Sequence, residues 1–447
     1  MRVTLAGPAA RAQDGSFVGT KRLRRLREHE DEKEVGGAEY ETRLRRVFES
    51  LHPRPAWAEP LPPASGPSSS LSQLLSRAGS LVARPTGRKP RTLPATELDV
   101  QRARDANMVA QQEGEAASVE CMDWHPSARV RILMTASRDR TVRLFEIDGN
   151  SNPLLQSLHV PSLPLTYAAF HPSGSSVLLA GPRPYLYAYD LQSGRALRST
   201  PWRGLSNDGN TAERDLSMAR FQPLGAESGR LLAIGGRRGA IHLLDWGSGQ
   251  GGAGAGAGAA LVGSLRLNAP LVGLEWDQTA SAAGRRLLSL SKEGSVHVWD
   301  TRAMRCAVER RDAGLFGAHG LAQSPSGAHW AVGSDSGTVN VYDALTASEV
   351  QDNKPWASVK ELGNLVTRTT TLSWNHDGQM LAVASRNKKD ALKLVHAPSL
   401  RVFANWPTAG TPLGHVTDVR FSGASEYAAV ANSRGRVLLY SLRHYVQ

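Results

Sequence analysis

The sequence predicts an all-β fold: a seven-bladed β-propeller over residues 116–447, preceded by a basic, extended and partly helical N-terminal arm over residues 1–115. Three observations carry this expectation. A three-strand pattern keeps returning from about Ala117 onward. Turn-forming residues fall in corresponding places of several copies, and composition changes sharply before the first copy.

The arm comes first in the chain. Tyr40, Leu44, Val47, Phe48 and Leu51 recur at helical spacing in a run rich in Glu and Arg, and Pro53 stops it. The spacing predicts a helix near 37–51 whose apolar stripe, with Trp57 just beyond it, either packs on the propeller or docks on a partner. Residues 59–94 are dense in Pro, Ser, Gly and Arg and are expected to be extended. A short apolar island, Leu71-Ser72-Gln73-Leu74-Leu75, interrupts them. Two basic clusters are candidate phosphate contacts: Lys21, Arg22, Arg24 and Arg25 in the first, Arg88, Lys89 and Arg91 in the second. The acidic run from Glu28 to Glu34 leaves the first cluster a second reading, as half of a self-paired helix face, and nuclear targeting a third.

The blades come next. The first copy reads Val119-Glu120-Cys121-Met122-Asp123-Trp124-His125-Pro126, then Arg131 to Ser137, then Thr141-Val142-Arg143-Leu144-Phe145-Glu146. Later copies end at Tyr189-Asp190, Leu244-Asp245, Trp299-Asp300, Tyr342-Asp343, Val395-His396 and Leu439-Tyr440, spaced 44, 55, 55, 43, 53 and 44 residues apart. The short spacings match the ~40–45 residues of one four-stranded blade. The long ones hold insertions: Ser199 to Asp215, the Gly/Ala run Gly249 to Ala260, and the stretch around Lys354-Pro355-Trp356. Alternating runs such as Thr338-Val339-Asn340-Val341-Tyr342 suit strands buried on both faces between neighbours. Pro172-Ser173-Gly174, Pro325-Ser326-Gly327 and Asp377-Gly378 supply turns between first and second strands. Closure of the ring needs a strand from one terminus, and residues 103–112 are a candidate.

Bulk properties narrow the function. With 447 residues, 21% charged and 40% hydrophobic, the chain has an ordinary globular composition. Its formal net charge of +12 and pI of about 10 favour anionic partners, nucleic acid or a ribonucleoprotein before membranes or acidic proteins. Cys121 and Cys306 stand far apart and outside any CxxC spacing, which excludes a zinc framework and makes them apolar fillers on strands. No apolar run of 18 residues and no signal-peptide core are present, so cytosol or nucleus is expected, without membrane partners. His125 and His171 precede prolines at strand-ending turns and lack metal-ligand spacing. The Gly249 run lacks the Gly-Lys-Ser/Thr ending of a phosphate loop. No catalytic residue, cofactor, metal or small-molecule substrate is expected.

The repeats resemble WD-repeat proteins. Trp299-Asp300 is a literal copy of the name-giving dipeptide, Asp139 and Asp335 match the acidic turn residue, and Gly414-His415 resembles the Gly-His signal that opens a repeat. Most blades lack one or more of these, so the hydrogen-bond network typical of the family is expected to be incomplete. Trp299-Asp300-Thr301-Arg302 also fits the WDxR box of cullin–RING substrate receptors. A ligase substrate receptor and a generic nuclear WD-repeat scaffold are therefore two open readings of the propeller.

The arm carries a more specific likeness, which favours a third. The string from Glu39 to Ala58, through Phe48-Glu49-Ser50-Leu51-His52-Pro53-Arg54-Pro55-Ala56-Trp57, resembles the signature of the U3 small nucleolar RNA-associated protein 18 family. Leu93-Pro94-Ala95-Thr96-Glu97-Leu98-Asp99-Val100 and Arg104-Asp105-Ala106-Asn107 resemble its pre-propeller linker, and the first blade with its ending at Leu144 to Gly149 is similar too. The resemblance implies a nucleolar WD-repeat subunit of the UtpB module of the small-subunit processome. Its implied partners are other processome proteins, U3 small nucleolar RNA and pre-ribosomal RNA. The family is also expected to carry an acidic N-terminal Leu-Phe-x-x-Asp motif that recruits the RNA-exosome helicase. No such motif precedes the propeller here, so the expectation is a truncated N-terminus or an absent helicase role. Leu144-Phe145-Glu146-Ile147-Asp148 fits the pattern but falls on a predicted core strand.

Overall fold

The structure is a computed structural model describing residues 2–4, 34–51, 92–112, 114, 117–199, 213, 215–223, 230–246, 260–279, 284–311, 315, 317–344, 357–408 and 410–446. It separates into two compact units, Met1–Gly66 and Pro67–Gln447. In the first unit, strand β1 (Arg2–Thr4) pairs antiparallel with β2 (Glu34–Gly36), and helix α1 (Gly37–Leu51) follows directly.

The second unit holds seven four-stranded antiparallel sheets in simple up-and-down order. The blades span residues 119–159, 167–198, 219–266, 271–311, 318–362, 371–402 and 416–442. Third strands end at Glu146, Asp190, Asp245, Asp300, Asp343 and His396, where the repeat pattern placed the ends of the first six copies. The seven-bladed expectation is borne out.

Burial explains why the second and third strands are so apolar. Ile132–Ser137, Ser176–Ala180, Met380–Ala384 and Tyr427–Asn432 are buried at every position, because each sheet is covered on both faces. The hydrophobic core is accordingly seven layers between adjacent blades. Met134, Leu144, Leu163, Leu179 and Tyr189 fill the layer between blades 1 and 2. Leu243, Leu274, Trp276, Leu287 and Trp299 fill that between blades 3 and 4. Met122, Phe145, Ala429 and Leu439 join blade 7 back to blade 1.

The ring is closed by strand β3, Val100–Arg102, which pairs with Val437–Leu442 as the outermost strand of blade 7. The closing strand therefore lies just before the 103–112 segment proposed for it. From that segment the Ala103 and Ala106 N–H groups, which donate to the Leu439 and Val437 carbonyls (both 2.9 Å), prolong the contact with the same strand. Met108–Gln112 instead forms a short helix, α2, whose turn leaves no extended run to pair. Ahead of β3, Leu93 and Leu98 are buried in the layer between blades 6 and 7. The Leu93 N–H donates to Gln379 Oε1 (2.7 Å), and Leu98 exchanges backbone hydrogen bonds with the Asn405 amide (3.2 and 2.8 Å). Residues 93–107, on the arm side of position 115, thus lie along the last two blades.

Candidate interaction surfaces and the central channel

Sequence reasoning offered an arm helix and two basic clusters. Residues Tyr40, Leu44, Val47, Phe48 and Leu51 all lie on α1. Leu44 and Phe48 are 42% and 62% exposed, four residues apart and so on one side of the helix. Charged residues brace the helix: Arg43 donates to Glu39 (2.7 Å) and Arg45 to Glu41 (3.1 Å). The side chains of Tyr40, Val47 and Leu51 lie outside the described residues, as do Trp57, Lys21, Arg22, Arg24, Arg25, Arg88, Lys89 and Arg91, the Leu71–Leu75 island, and most of each insertion.

The propeller's polar chemistry gathers around its central channel, which sequence reasoning did not single out. The innermost strand of every blade contributes, and each of the seven junctions is bridged by a hydrogen bond. Asp418 accepts the Met122 N–H (2.9 Å) across blades 7 and 1, and Asp123 accepts the Phe170 N–H (2.8 Å) across blades 1 and 2. Arg220 of blade 3 donates to the Tyr167 hydroxyl of blade 2 (2.9 Å) and to Glu275 of blade 4 (3.1 Å). Gln323 of blade 5 accepts the Gln278 N–H (2.6 Å) and donates to Asp277 (2.9 Å), both in blade 4. Trp374 Nε1 donates to the Ala322 carbonyl (3.3 Å), and Thr371 Oγ1 to the Thr417 carbonyl (3.2 Å). Trp124 and Trp276 repeat the Trp374 device, each donating from the end of a first strand to the preceding blade, at Arg420 (3.3 Å) and Arg220 (2.9 Å).

A cavity of about 240 Å³, lined by Asp123, Tyr167, Arg220, Glu275, Gln323 and Arg420 among others, lies within this belt. Burial pushes the Asp123 carboxyl up to about 6, against the pull of Arg420. Burial, with Asp418 adding to it, pushes the Cys121 thiol up to about 12, so it stays protonated and donates weakly to the Ala168 carbonyl. The neighbouring Asp418 carboxylate holds Arg420 firmly charged. These groups spend their hydrogen bonds on neighbouring blades, so the arrangement is one of cohesion.

The remaining sequence candidates resolve individually. His125 and His171 are turn residues: the Ser127 N–H donates to His125 Nδ1, and the opposite nitrogen meets the Gly174 carbonyl at 3.2 Å. Burial lowers the affinity of His125 for a proton, so the ring is neutral with its hydrogen on Nε2. Cys306 is a correction. It lies on the outer strand Arg305–Arg311 but is exposed, because a blade's fourth strand has only one covered face. Trp299 keeps a WD-type bond, Nε1 to Ser289 Oγ at 2.7 Å, and Asp139 caps its turn by accepting the Thr141 N–H (3.0 Å) and Arg143 (2.9 Å). In blade 3 the buried Glu213 bridges His242 (3.1 Å) and the Arg237 N–H (2.7 Å), a contact hidden from the sequence because Glu213 sits inside an insertion. Among the described residues, no group of three or more His, Cys, Asp or Glu is placed to hold a metal ion, and no helix is long and apolar enough to cross a membrane.

Comparison with known proteins agrees with this architecture. Residues 107–146 match the family described as WD domain, G-beta repeat. The crystal structure of the Cps50 (Swd1) β-propeller domain from Myceliophteria thermophila superposes with a TM-score of 0.55 over 77% of this chain and 99% of that one, at 14% identity, a likeness of fold alone. The probable U3 small nucleolar RNA-associated protein 18 of Schizosaccharomyces pombe is 35% identical, across 96% of this chain and 78% of its own length. The chain belongs to the U3 small nucleolar RNA-associated protein 18 family. The Arabidopsis thaliana homologue of that protein is 33% identical over 96% of this chain and 74% of its own. In this member of the U3 small nucleolar RNA-associated protein 18 family, the linker-like segments at 93–100 and 104–107 are structural parts of the propeller: Asn107 donates to the Gly435 carbonyl (2.6 Å) and accepts the Val437 N–H (3.0 Å). The Leu144-Phe145 pair is fully enclosed on a third strand.

Proposed function

We propose that the protein is a non-catalytic scaffold subunit of the small-subunit processome, acting in the nucleolus in pre-18S ribosomal RNA processing and 40S assembly with the U3 small nucleolar ribonucleoprotein. The observation that carries this reading is identity of 35% along 96% of the chain with a protein named for its association with U3 small nucleolar RNA, arm and propeller together. The channel supports a scaffold, since its polar groups join blades to one another.

On this reading the propeller is the platform and α1 docks on another processome protein, a WD-repeat subunit of the UtpB module. Leu44 and Phe48 would be the anchors, with Tyr40, Val47, Leu51 and Trp57 beside them. The exposure of Leu44 and Phe48 supports this choice, because large apolar side chains at the centre of a contact carry most of its energy. RNA is held through phosphates, with Lys21, Arg22, Arg24, Arg25, Arg88, Lys89 and Arg91 as arm contacts.

The test is affinity purification of the tagged full-length chain at moderate salt, with proteomics and RNA sequencing, beside Leu44→Asp/Phe48→Asp. The wild type should recover processome WD-repeat proteins with U3 and pre-ribosomal RNA, and the double variant should lose them while its propeller melts normally. Recovery of a cullin adaptor instead, lost on Arg302→Ala, would overturn the assignment. Normal recovery by the double variant would overturn the helix's role.

A further inference from the structure

The up-and-down order of every blade puts all seven turns between second and third strands at one end of the channel. These turns, at 138–140, 181–186, 236–239, 292–294, 335–338, 385–391 and 433–436, contain eleven Lys or Arg and four Asp or Glu. All eleven cations are exposed. Three of the four acids are turned to internal work. Asp139 caps its own turn, Asp335 pairs with Arg368 (2.8 Å), and Asp390 accepts the Leu413 and Gly414 N–H groups (both 2.7 Å). The turns between first and second strands, at the opposite end, carry four charges of each sign.

The connections crossing the same end between blades contain seven Asp or Glu and four Lys or Arg, so the excess is confined to the turns. It is densest over blades 6 and 7, whose connection 403–415 carries no Asp or Glu. A groove of about 520 Å³ opens there, with Lys389 on one wall, Arg434 and Arg436 on the other, and Arg102 of the closing strand at its edge. Both walls are fixed by buried or half-buried side chains. Asn432 Oδ1 accepts the Arg434 and Arg436 N–H groups (3.1 and 2.9 Å), its amide donates to the Leu413 carbonyl (3.2 Å), and Asp390 ties the facing turn to the floor. Among the described residues, Lys389, Arg434 and Arg436 make no ion pair. None of the exposed large apolar side chains lies in the groove, so it lacks the anchor a protein contact requires.

We propose that the groove between blades 6 and 7 holds the phosphodiester backbone of an RNA strand, gripped by Lys389, Arg434 and Arg436. The proposal rests on the processome reading for the identity of the polyanion, and its test is separable from that reading. Affinity of the purified full-length chain for a labelled single-stranded RNA of mixed sequence is measured across a salt series. The variant is Lys389→Gln/Arg434→Gln/Arg436→Gln, and the charge-matched control on the opposite end is Arg129→Gln/Arg131→Gln/Arg285→Gln.

Each lost phosphate contact lowers the slope of log K against log salt by about 0.7 for a single strand. The groove variant should therefore lose about 2 from the slope and bind at least ~10-fold more weakly at ~100 mM salt. The control should stay near wild type. Arg434→Lys/Arg436→Lys should keep the slope, and all variants should melt with the wild type because the changed side chains are exposed. Equal loss in groove and control variants would overturn the proposal, as would equal affinity of the wild type for a polyglutamate chain. Purification of the groove variant from cells should still recover processome proteins. Failure of the wild type to recover them would refute the processome reading and leave the groove measurement intact.

Discussion

Asp123→Asn should make the propeller more stable at alkaline pH, against the usual expectation for a buried polar substitution. Asp123 lies on the innermost strand of blade 1, with Oδ2 accepting the Phe170 N–H (2.8 Å) and Oδ1 the N–H of Trp124 beside it (3.0 Å). Burial raises its carboxyl from 3.8 to about 6. Two pH units correspond to ~3 kcal/mol by which the folded state disfavours the ionised form relative to the unfolded chain. Asn has a single acceptor oxygen, so the substitution gives up the weaker contact to Trp124 at a cost of about 1 kcal/mol. The net gain is ~2 kcal/mol above pH 7. Because the folded value lies above the unfolded one, the stability due to the protonated acid is complete below about 3.8 and lost as pH rises through about 6. The advantage of the variant must therefore shrink between pH 7 and 5, pass through zero at about pH 4.5 and turn into a deficit of about 1 kcal/mol below about pH 3, where only the lost contact remains. With ~2.1 cal/mol/K per residue over roughly 330 residues, 2 kcal/mol moves the midpoint about 3 °C. Thermal melts of both proteins at pH 8, 6.5 and 5 would measure it. A variant less stable than wild type at pH 8 would show that pairing with Arg420 outweighs burial, and the reasoning would be wrong.

Three further outcomes concern the blade junctions. Trp276→Phe removes the Nε1 donor to the Arg220 carbonyl in a fully enclosed site and should cost about 2–3 kcal/mol in chemical denaturation. Leu98→Ala empties a buried site between blades 6 and 7 and should cost about 2–4 kcal/mol. Hydrogen exchange should show loss of protection first along Val437–Leu442, the strand that β3 covers. Gly174→Ala places a methyl 2.5 Å from His125 Nε2 at a residue with φ of +74°, and should lower stability by about 1–3 kcal/mol in the same assay.

Blades were legible because second and third strands are covered on both faces and must be nearly all apolar, and because a third strand ends where an acid such as Asp190, Asp245 or Asp300 meets solvent. Fourth strands were not. Leu154–His159 and Ala196–Arg198 are half-covered, and their sequences tolerate polar residues at alternating and irregular places. β3 was missed for the same reason: its three residues Val100, Gln101 and Arg102 are none of them buried, and what holds the segment is Leu93 and Leu98 upstream, two isolated leucines amid polar residues. The channel belt was invisible in principle. Asp123, Arg220, Glu275 and Asp418 lie up to 295 residues apart in sequence and share only a position on first strands, so nothing local marks them as partners.

The closing segment runs from one end of the channel to the other and finishes beside the basic groove. Leu93 is held by Gln379, in the turn between first and second strands of blade 6, and the Asp99 carbonyl accepts the Arg443 N–H just beyond the end of blade 7's third strand. From there β3 runs antiparallel to Val437–Leu442, so that Ala103 meets Leu439 and Ala106 meets Val437. The segment therefore reaches blades 6 and 7 at one end of the channel and arrives at the other beside the turn 433–436, where Arg102 edges the basic groove. Position 92 and the groove are at opposite ends of the propeller. A helix that holds protein and a groove that holds a polyanion are disabled by different substitutions. Loss of Leu44 and Phe48 should then remove protein partners without changing the salt slope for RNA, while loss of Lys389, Arg434 and Arg436 does the reverse. Coupled losses in either variant would mean that one surface performs both tasks.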